Sequence, residues 1–374
     1  MVSISLTTFF TREPPVRLRA SAASLVIYED ARRAAAGGRK ESGLRREIVQ
    51  IIEGVHKLQF EIPYGVQPVN MDLVEGEPLT LIDTGPIMDE VSETIPRTLT
   101  ELGFPPSSLE RIIITHHHPD HMGLAARFKA ASGAQVVCHR LGLEPVGDYW
   151  AESVRLREYL VGQSPFMGLD REMVKSTLST SYQWDNVAEP VEVDRPVEDG
   201  DVLPGDPHDL EVIHTPGHSI DHICLYLRSE RLLFTGDMLL NTITPNPDMY
   251  PPWQSEERSG LPDYIRSLEK LRGMDVRLAL PGHGACVEEF ASRVEEVLSH
   301  HEQRLLFLLG ALGGEEKTVI QLTFEMLEQI EAEPSVENIF LGMREVFGHL
   351  VILESRGAVA RDMRGETAYY RAPG

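Results

Sequence analysis

The run Thr115-His116-His117-His118-Pro119-Asp120-His121 decides how this chain of 374 residues is read. It follows directly on residues 111–115, a short β-branched apolar segment that reads as a buried strand. A tight loop at the end of a strand can turn several side chains toward one point. An extended strand cannot, because it sends alternate residues to opposite faces. The run contains the pattern His-x-His-x-Asp-His, and imidazole and carboxylate are good donors to divalent zinc, iron or manganese. Three further pieces are of the same kind: Thr215-Pro216-Gly217-His218, Thr235-Gly236-Asp237 and Pro281-Gly282-His283-Gly284. Each is expected at a strand end, beside a glycine that lets the backbone turn sharply. A lone histidine in such a place is more often a hydrogen-bonded core or surface residue. Seven donors in four loops of one strand-then-turn type make a metal site the better reading.

The flanking sequence alternates strand and helix signals. Strands are predicted at residues 56–62, 68–74, 79–82, 135–138, 210–214, 223–227, 231–234 and 278–280, and helices at 89–102 and 123–132. This alternation indicates an α/β layered domain. Residues 140–190 break the rhythm with two helical stretches, 144–161 and 170–182. They carry Tyr149, Trp150, Tyr159, Phe166, Tyr182 and, just beyond, Trp184. Two readings stay open here: a helical excursion packed on the domain, or a lid presenting apolar surface to a substrate. The proline-rich stretch 242–253 reads as a loop, with Tyr250 and Trp253 as candidates for a pocket wall. His222 is a candidate partner of a metal ligand. His117, between two donors, is expected to point away from them, and His139 and His214 to make ordinary hydrogen bonds on strands. From residue 291 the chain reads as helical to 354 and ends in a hairpin-like stretch, 358–370. Three segments are therefore expected: an N-terminal extension 1–46, a catalytic domain 47–290 and a helical, winged-helix-like domain 291–374.

Composition excludes several classes. Hydrophobic residues make 42% and charged residues 25% of the chain, as in globular rather than disordered proteins. There are 35 Lys+Arg against 58 Asp+Glu, a formal charge of −23, which opposes binding to phosphate backbones. Residues 1–46 are the exception, with nine basic and four acidic side chains and a short strand expected at 24–28. Their apolar stretch, 6–10, is too short for a signal sequence. No run of about 18 apolar residues exists to span a membrane. Cys138, Cys224 and Cys286 are too few and too scattered for a disulfide framework or a thiolate metal site, so a reduced, cytoplasmic protein is expected.

With these loops in place, the chain resembles the metallo-β-lactamase-fold superfamily. Within it, Asp263-Tyr264-Ile265-Arg266-Ser267-Leu268-Glu269-Lys270-Leu271, Leu280-Pro281-Gly282-His283-Gly284 and His300-His301-Glu302-Gln303-Arg304 look like glyoxalase-II-like hydrolases with a C-terminal winged helix. The resemblance implies an αββα sandwich with two divalent ions at one edge of the sheets. Zinc is the first choice, with iron or manganese accepted by the same donors. It assigns His116, His118 and His218 to one ion, Asp120, His121 and His283 to the other, and Asp237 to both. Asp83, in Leu81-Ile82-Asp83-Thr84-Gly85, matches a recurrent acidic position that supports the site. The implied chemistry is hydrolysis of an ester, thioester or lactone of a small, partly apolar substrate by a hydroxide shared between the ions, oriented by Asp120. The alternative is a metal-dependent endoribonuclease acting on single-stranded RNA, since a resembling group includes one. Residues 300–374 carry seven basic and twelve acidic side chains, which disfavours nucleic acid as a partner. Packing, or formation of a homodimer, is the expected role of that segment.

Overall fold

Seven strands form one sheet in the order β1 (Arg46–Ile52), β2 (Val55–Phe60), β3 (Val69–Val74), β4 (Thr80–Ile82), β5 (Arg111–Ile113), β6 (Gln135–His139) and β7 (Arg195–Val197). In this computed structural model, residues 45–62, 67–172, 174–175 and 186–373 are described. The strand expected at 24–28, most of the helix expected at 170–182, and Trp184 lie outside them. Pairing is antiparallel from β1 to β4 and parallel from β4 to β7. Parallel neighbours need a crossover, and helices supply it. α1 (Asp89–Glu101) follows β4, α2 (Pro119–Met122) and α3 (Ala125–Ser132) follow β5, and α4 (Leu143–Gly147) and α5 (Tyr149–Met167) follow β6.

The second sheet holds β8 (Val202–Leu203), β9 (Leu210–His214), β10 (Ile223–Leu227), β11 (Leu232–Gly236) and β12 (Leu278–Pro281). β12 runs parallel to β11 after the crossover helix α6 (Leu261–Leu271), and the other pairs are antiparallel. Alternation along each strand then makes the layers. On β10, Ile223, Leu225 and Leu227 face the first sheet, in a cluster with Val55, Ile82, Ile113 and Val137. Cys224 and Tyr226 face the other way, onto Tyr264 and Leu268 of α6. On the first sheet, Met71, Leu81 and Ile112 face outward onto Ile95 and Leu99 of α1 and Phe128 of α3. Helix, sheet, sheet and helix follow in that order, the αββα sandwich that the resemblance implies.

Three helices close the chain, α7 (Phe290–Leu312), α8 (Val319–Gln329) and α9 (Val336–Ser355), before the hairpin β13 (Ala360–Arg364) and β14 (Thr367–Arg371). Thr318 and Gln321 form a capping box at α8, and the Ser335 side chain caps α9. Val294, Leu305, Val346 and Leu350 share one apolar cluster with α6 and the outer face of the second sheet. The C-terminal segment is thus continuous in packing with the sandwich.

The short β7 and β8 were not expected, and nor was β1. Its residues are largely exposed and lack alternation, so pairing with β2, and not burial, holds it. An ion pair of 2.6 Å from Arg46 to Glu101 ties it to α1. The first excursion helix continues past 161 to Met167, and among the described residues no helix is long and apolar enough to cross a membrane.

Candidate metal centre

Five strands deliver their C-terminal ends to one rim. Asp83 follows β4, His116 to His121 follow β5, His218 follows β9, Asp237 follows β11 and His283 follows β12. His118 stands just before α2, and Pro119 in its first turn starts the helix that carries Asp120 and His121.

The backbone and nearby side chains fix each imidazole so that one nitrogen is left for a common centre. Asp83 adopts φ +59°, a left-handed conformation that aspartate tolerates. Its carboxylate accepts the Thr115 N–H and hydroxyl, each at 2.8 Å, and His121 Nδ1 at 2.8 Å. His116 Nδ1 lies 3.1 Å from Thr115 Oγ1, whose own proton goes to Asp83, so His116 donates there. His218 Nδ1 donates to the Asn246 carbonyl at 3.0 Å, and His283 Nδ1 to the Gln67 carbonyl at 3.1 Å. His118 is turned the other way round, with Nε2 3.6 Å from Asp248 Oδ2.

The five remaining nitrogens converge. His118 Nδ1 is 3.0 Å from His116 Nε2 and 3.0 Å from His218 Nε2. These three atoms, and likewise the donor atoms of Asp120, His121 and His283, lie within 4.8 Å of one another. Asp237 stands between the triads: its Oδ2 is 3.5 Å from His218 Nε2 and 3.6 Å from His283 Nε2, and its Oδ1 is 3.5 Å from His121 Nε2. His121 Nε2 and Asp237 Oδ1 are buried and make no hydrogen bond. Buried polar atoms without partners are costly, and a cation between them resolves that cost. Space is kept for one: a Cβ on Gly282 would lie 2.6 Å from Asp237 Oδ1 and 2.6 Å from His121 Cε1. The donor set therefore fits two divalent ions.

Protonation follows the same division. Burial, reinforced by neighbouring imidazoles, pushes His116 well down and His218 down to about 4, so both offer lone pairs. Burial also opposes charge on His121 and His283, but Asp237 and Asp120 outweigh it and raise both. The carboxylates favour positive charge at these two positions, which a cation would also supply.

His222 acts on the centre indirectly. Its Nδ1 is 2.9 Å from Thr215 Oγ1, and its Nε2 accepts the Asp237 backbone N–H at 3.0 Å. Gly236, at φ +44°, would bring a Cβ within 2.7 Å of that nitrogen, so the turn into Asp237 needs glycine. His117 is bonded to Asp221 at 2.7 Å, stands on the cavity wall and belongs to neither triad, although one of its nitrogens lies within 4.8 Å of donor atoms of His118 and Asp248. Burial lowers its affinity for a proton, but the Asp221 carboxylate reverses this and holds it at about 9. His139 and His214 stack on each other at 3.8 Å, away from the centre, and His214 bonds the Ile220 carbonyl at 2.9 Å. Tyr250 and Trp253 do not form the cavity surface itself. Tyr250 is buried against Gly260, and Trp253 donates at 2.8 Å to Glu152, which does line the cavity. Sequence reasoning missed Asp221 and Asp248; the only signal for either was proximity to a named motif or loop.

A family model described as the metallo-beta-lactamase superfamily matches residues 64–283. The chain belongs to this superfamily. Within it, the chain is 27% identical over 322 residues to a probable metallo-hydrolase, YqjP, of Bacillus subtilis, covering 85% of this chain and 98% of that one. It is similar to the metallo-beta-lactamase family protein TTHA1429 of Thermus thermophilus, with TM-score 0.73 and 28% identity, covering 87% of this chain and all of that one. A shorter match, 30% over 126 residues, covers 33% of this chain and 36% of an atrochrysone carboxyl ACP thioesterase of Aspergillus fumigatus. Superfamily, relatives and converging donors agree: the chain is a metal-dependent hydrolase.

Proposed function

We propose that the protein hydrolyses an ester, thioester or lactone whose acyl part is largely apolar, using two divalent ions, zinc first. His116, His118 and His218 would hold one ion, Asp120, His121 and His283 the other, and Asp237 both. A pair of ions there supplies a water acidic enough to react near neutral pH and a positive charge for the developing oxyanion. The observation that carries the substrate class is the cavity of about 400 Å³ beside the donors. One end is lined by His118, Asp120, Asp237 and His283. Much of the remainder is walled by Leu156 and Leu160 of α5, Ile243 and Met249 of the 242–253 loop, and Phe340 and Leu341 of α9, with Glu152, Arg157, Glu337 and Arg344 among the charged residues that also line it. An apolar acyl group packs on that wall while its carbonyl reaches the rim. Asp120 orients the attacking water through a carboxylate oxygen. In the metal-free protein burial opposes its charge, but His121 and His283 outweigh that and hold the carboxyl well below the usual range. The thioesterase among the relatives supports the thioester as the first member of the class to test.

The test is turnover of matched thioesters, lactones, phosphodiesters and labelled single-stranded RNA by zinc-loaded protein and by Asp120→Asn. Thioester or lactone turnover, lost in the variant and with RNA untouched, is expected. RNA cleavage lost in the variant, without acyl turnover, would replace this reading by the endoribonuclease.

A further inference from the structure

The segment Asn246-Pro247-Asp248 lies between the metal centre and helix α9, and it touches both. On the inner side, the Asn246 carbonyl accepts His218 Nδ1 at 3.0 Å and Asp248 Oδ2 lies 3.6 Å from His118 Nε2. These are the ring nitrogens that His218 and His118 do not direct at the centre. On the outer side, Asn246 Nδ2 donates to the Leu341 carbonyl at 2.9 Å. Arg344 donates through Nε and one terminal nitrogen to the Pro247 carbonyl, at 3.2 and 3.0 Å, and pairs with Asp248 Oδ1. The backbone fixes the segment from a third direction: Asp248 N–H donates to the Gly217 carbonyl at 3.0 Å, and Gly260 N–H to the Asp248 carbonyl at 2.8 Å. Two of the three histidines of one triad are thus oriented by one strap, and the strap is held by a C-terminal helix.

We infer that Asp248 and Arg344 are positioning residues for the ion held by His116, His118 and His218, and that α9 thereby sets the affinity of this ion and not of the other. The inference rests on reading these three histidines as the holders of one ion. An outer carboxylate that accepts the second ring N–H of a ligating histidine fixes its orientation and raises its basicity. Loss of such a partner typically costs 10- to 100-fold in metal affinity. Arg344 keeps Asp248 aimed by a two-point contact that lysine does not reproduce. The second triad has its own partners, Asp83 on His121 and the Gln67 carbonyl on His283, and touches neither residue of the strap pair.

The experiment is stepwise zinc binding to the full chain by chelator competition, for wild type, Asp248→Asn, Asp248→Ala, Arg344→Gln and Arg344→Lys. The visible spectrum of the cobalt-loaded forms is the second readout. One of the two binding steps is expected to weaken 10-fold or more in Asp248→Ala and Arg344→Gln, and less in Asp248→Asn, which keeps an acceptor. The other step stays within about twofold, and the cobalt spectrum shifts. Arg344→Lys restores little. Unchanged affinities in folded variants overturn the inference, as does equal weakening of both steps, which is what general loosening gives. If a strap variant fails to fold, the cobalt spectrum of Arg344→Lys decides, and a wild-type spectrum there counts against the inference. Wild-type protein that binds no divalent ion overturns the binuclear reading itself, a separate outcome.

Discussion

Gly282 shows how little room the centre leaves. Its missing side chain keeps the space beside His121 and Asp237 open, since a Cβ would stand 2.6 Å from atoms of both. Gly282→Ala is therefore expected to weaken zinc binding at least tenfold while the metal-free protein keeps its fold, read by chelator competition and circular dichroism. Wild-type affinity would mean that the cation does not lie between those two residues. At the same scale, His116, His118, Asp120 and His121 were legible because His-x-His-x-Asp-His is dense and local, and His218, Asp237 and His283 because each stands beside a glycine at a strand end. Asp83 was legible as a supporting acid, and its contacts with Thr115 and His121 account for that role. Asp248 was not legible. It lies far along the chain from His118, in a loop whose composition announces only prolines, and its partner Arg344 lies on another element.

Helix α5 and the 242–253 loop supply the apolar wall, and their packing explains what composition left open. Trp253 donates to Glu152 of α5, its ring stands 5.7 Å from that of Tyr159, and Arg155 lies over it at 4.5 Å. Tyr159 and Trp253 are therefore spent bracing α5 on the loop, while Tyr149, Leu156 and Leu160 face the cavity. Leu156→Gln is expected to raise KM at least fivefold for long-chain acyl thioesters, and less for acetyl ones, with metal content unchanged. Equal effects on both chain lengths would remove α5 from the acyl wall. Strand and helix periodicity gave a layered α/β domain, because most strands are buried and carry β-branched runs, and the sandwich followed from the family resemblance. Periodicity did not give β1, which is exposed and held by ladder hydrogen bonds that leave no pattern in side-chain type.

Across the whole molecule, the C-terminal helices belong to the hydrolase body, and a buried polar cluster lies where they meet. His301 Nδ1 is 3.1 Å from His349 Nε2, His349 Nδ1 donates to the Glu345 carbonyl at 2.7 Å, and Arg304 pairs with the Glu345 carboxylate at 2.8 Å. Burial, despite the nearby Glu345, holds His349 down at about 4, and burial with His349 and His300 alongside pushes His301 down further. An unfolded histidine titrates near 6.5. Between that value and about 4 the unfolded chain takes up protons that the folded one refuses, so stability is full above the window and falls as the pH is lowered through it. For His349 alone the loss is on the order of 3 kcal/mol. Metal-free wild type is expected to lose more denaturation free energy between pH 7 and 4.5 than His349→Gln, and equal losses would contradict this. The −23 formal charge takes on a more local meaning as well, since two of its carboxylates, Asp120 and Asp237, stand where the proposed cations would offset them. The claim on which the account depends is that this rim holds two ions. Its most direct measurement is the zinc content of desalted, reconstituted protein by elemental analysis. Two ions per chain are expected for wild type and one for His218→Ala; one or none in wild type, or an unchanged count in the variant, would contradict it.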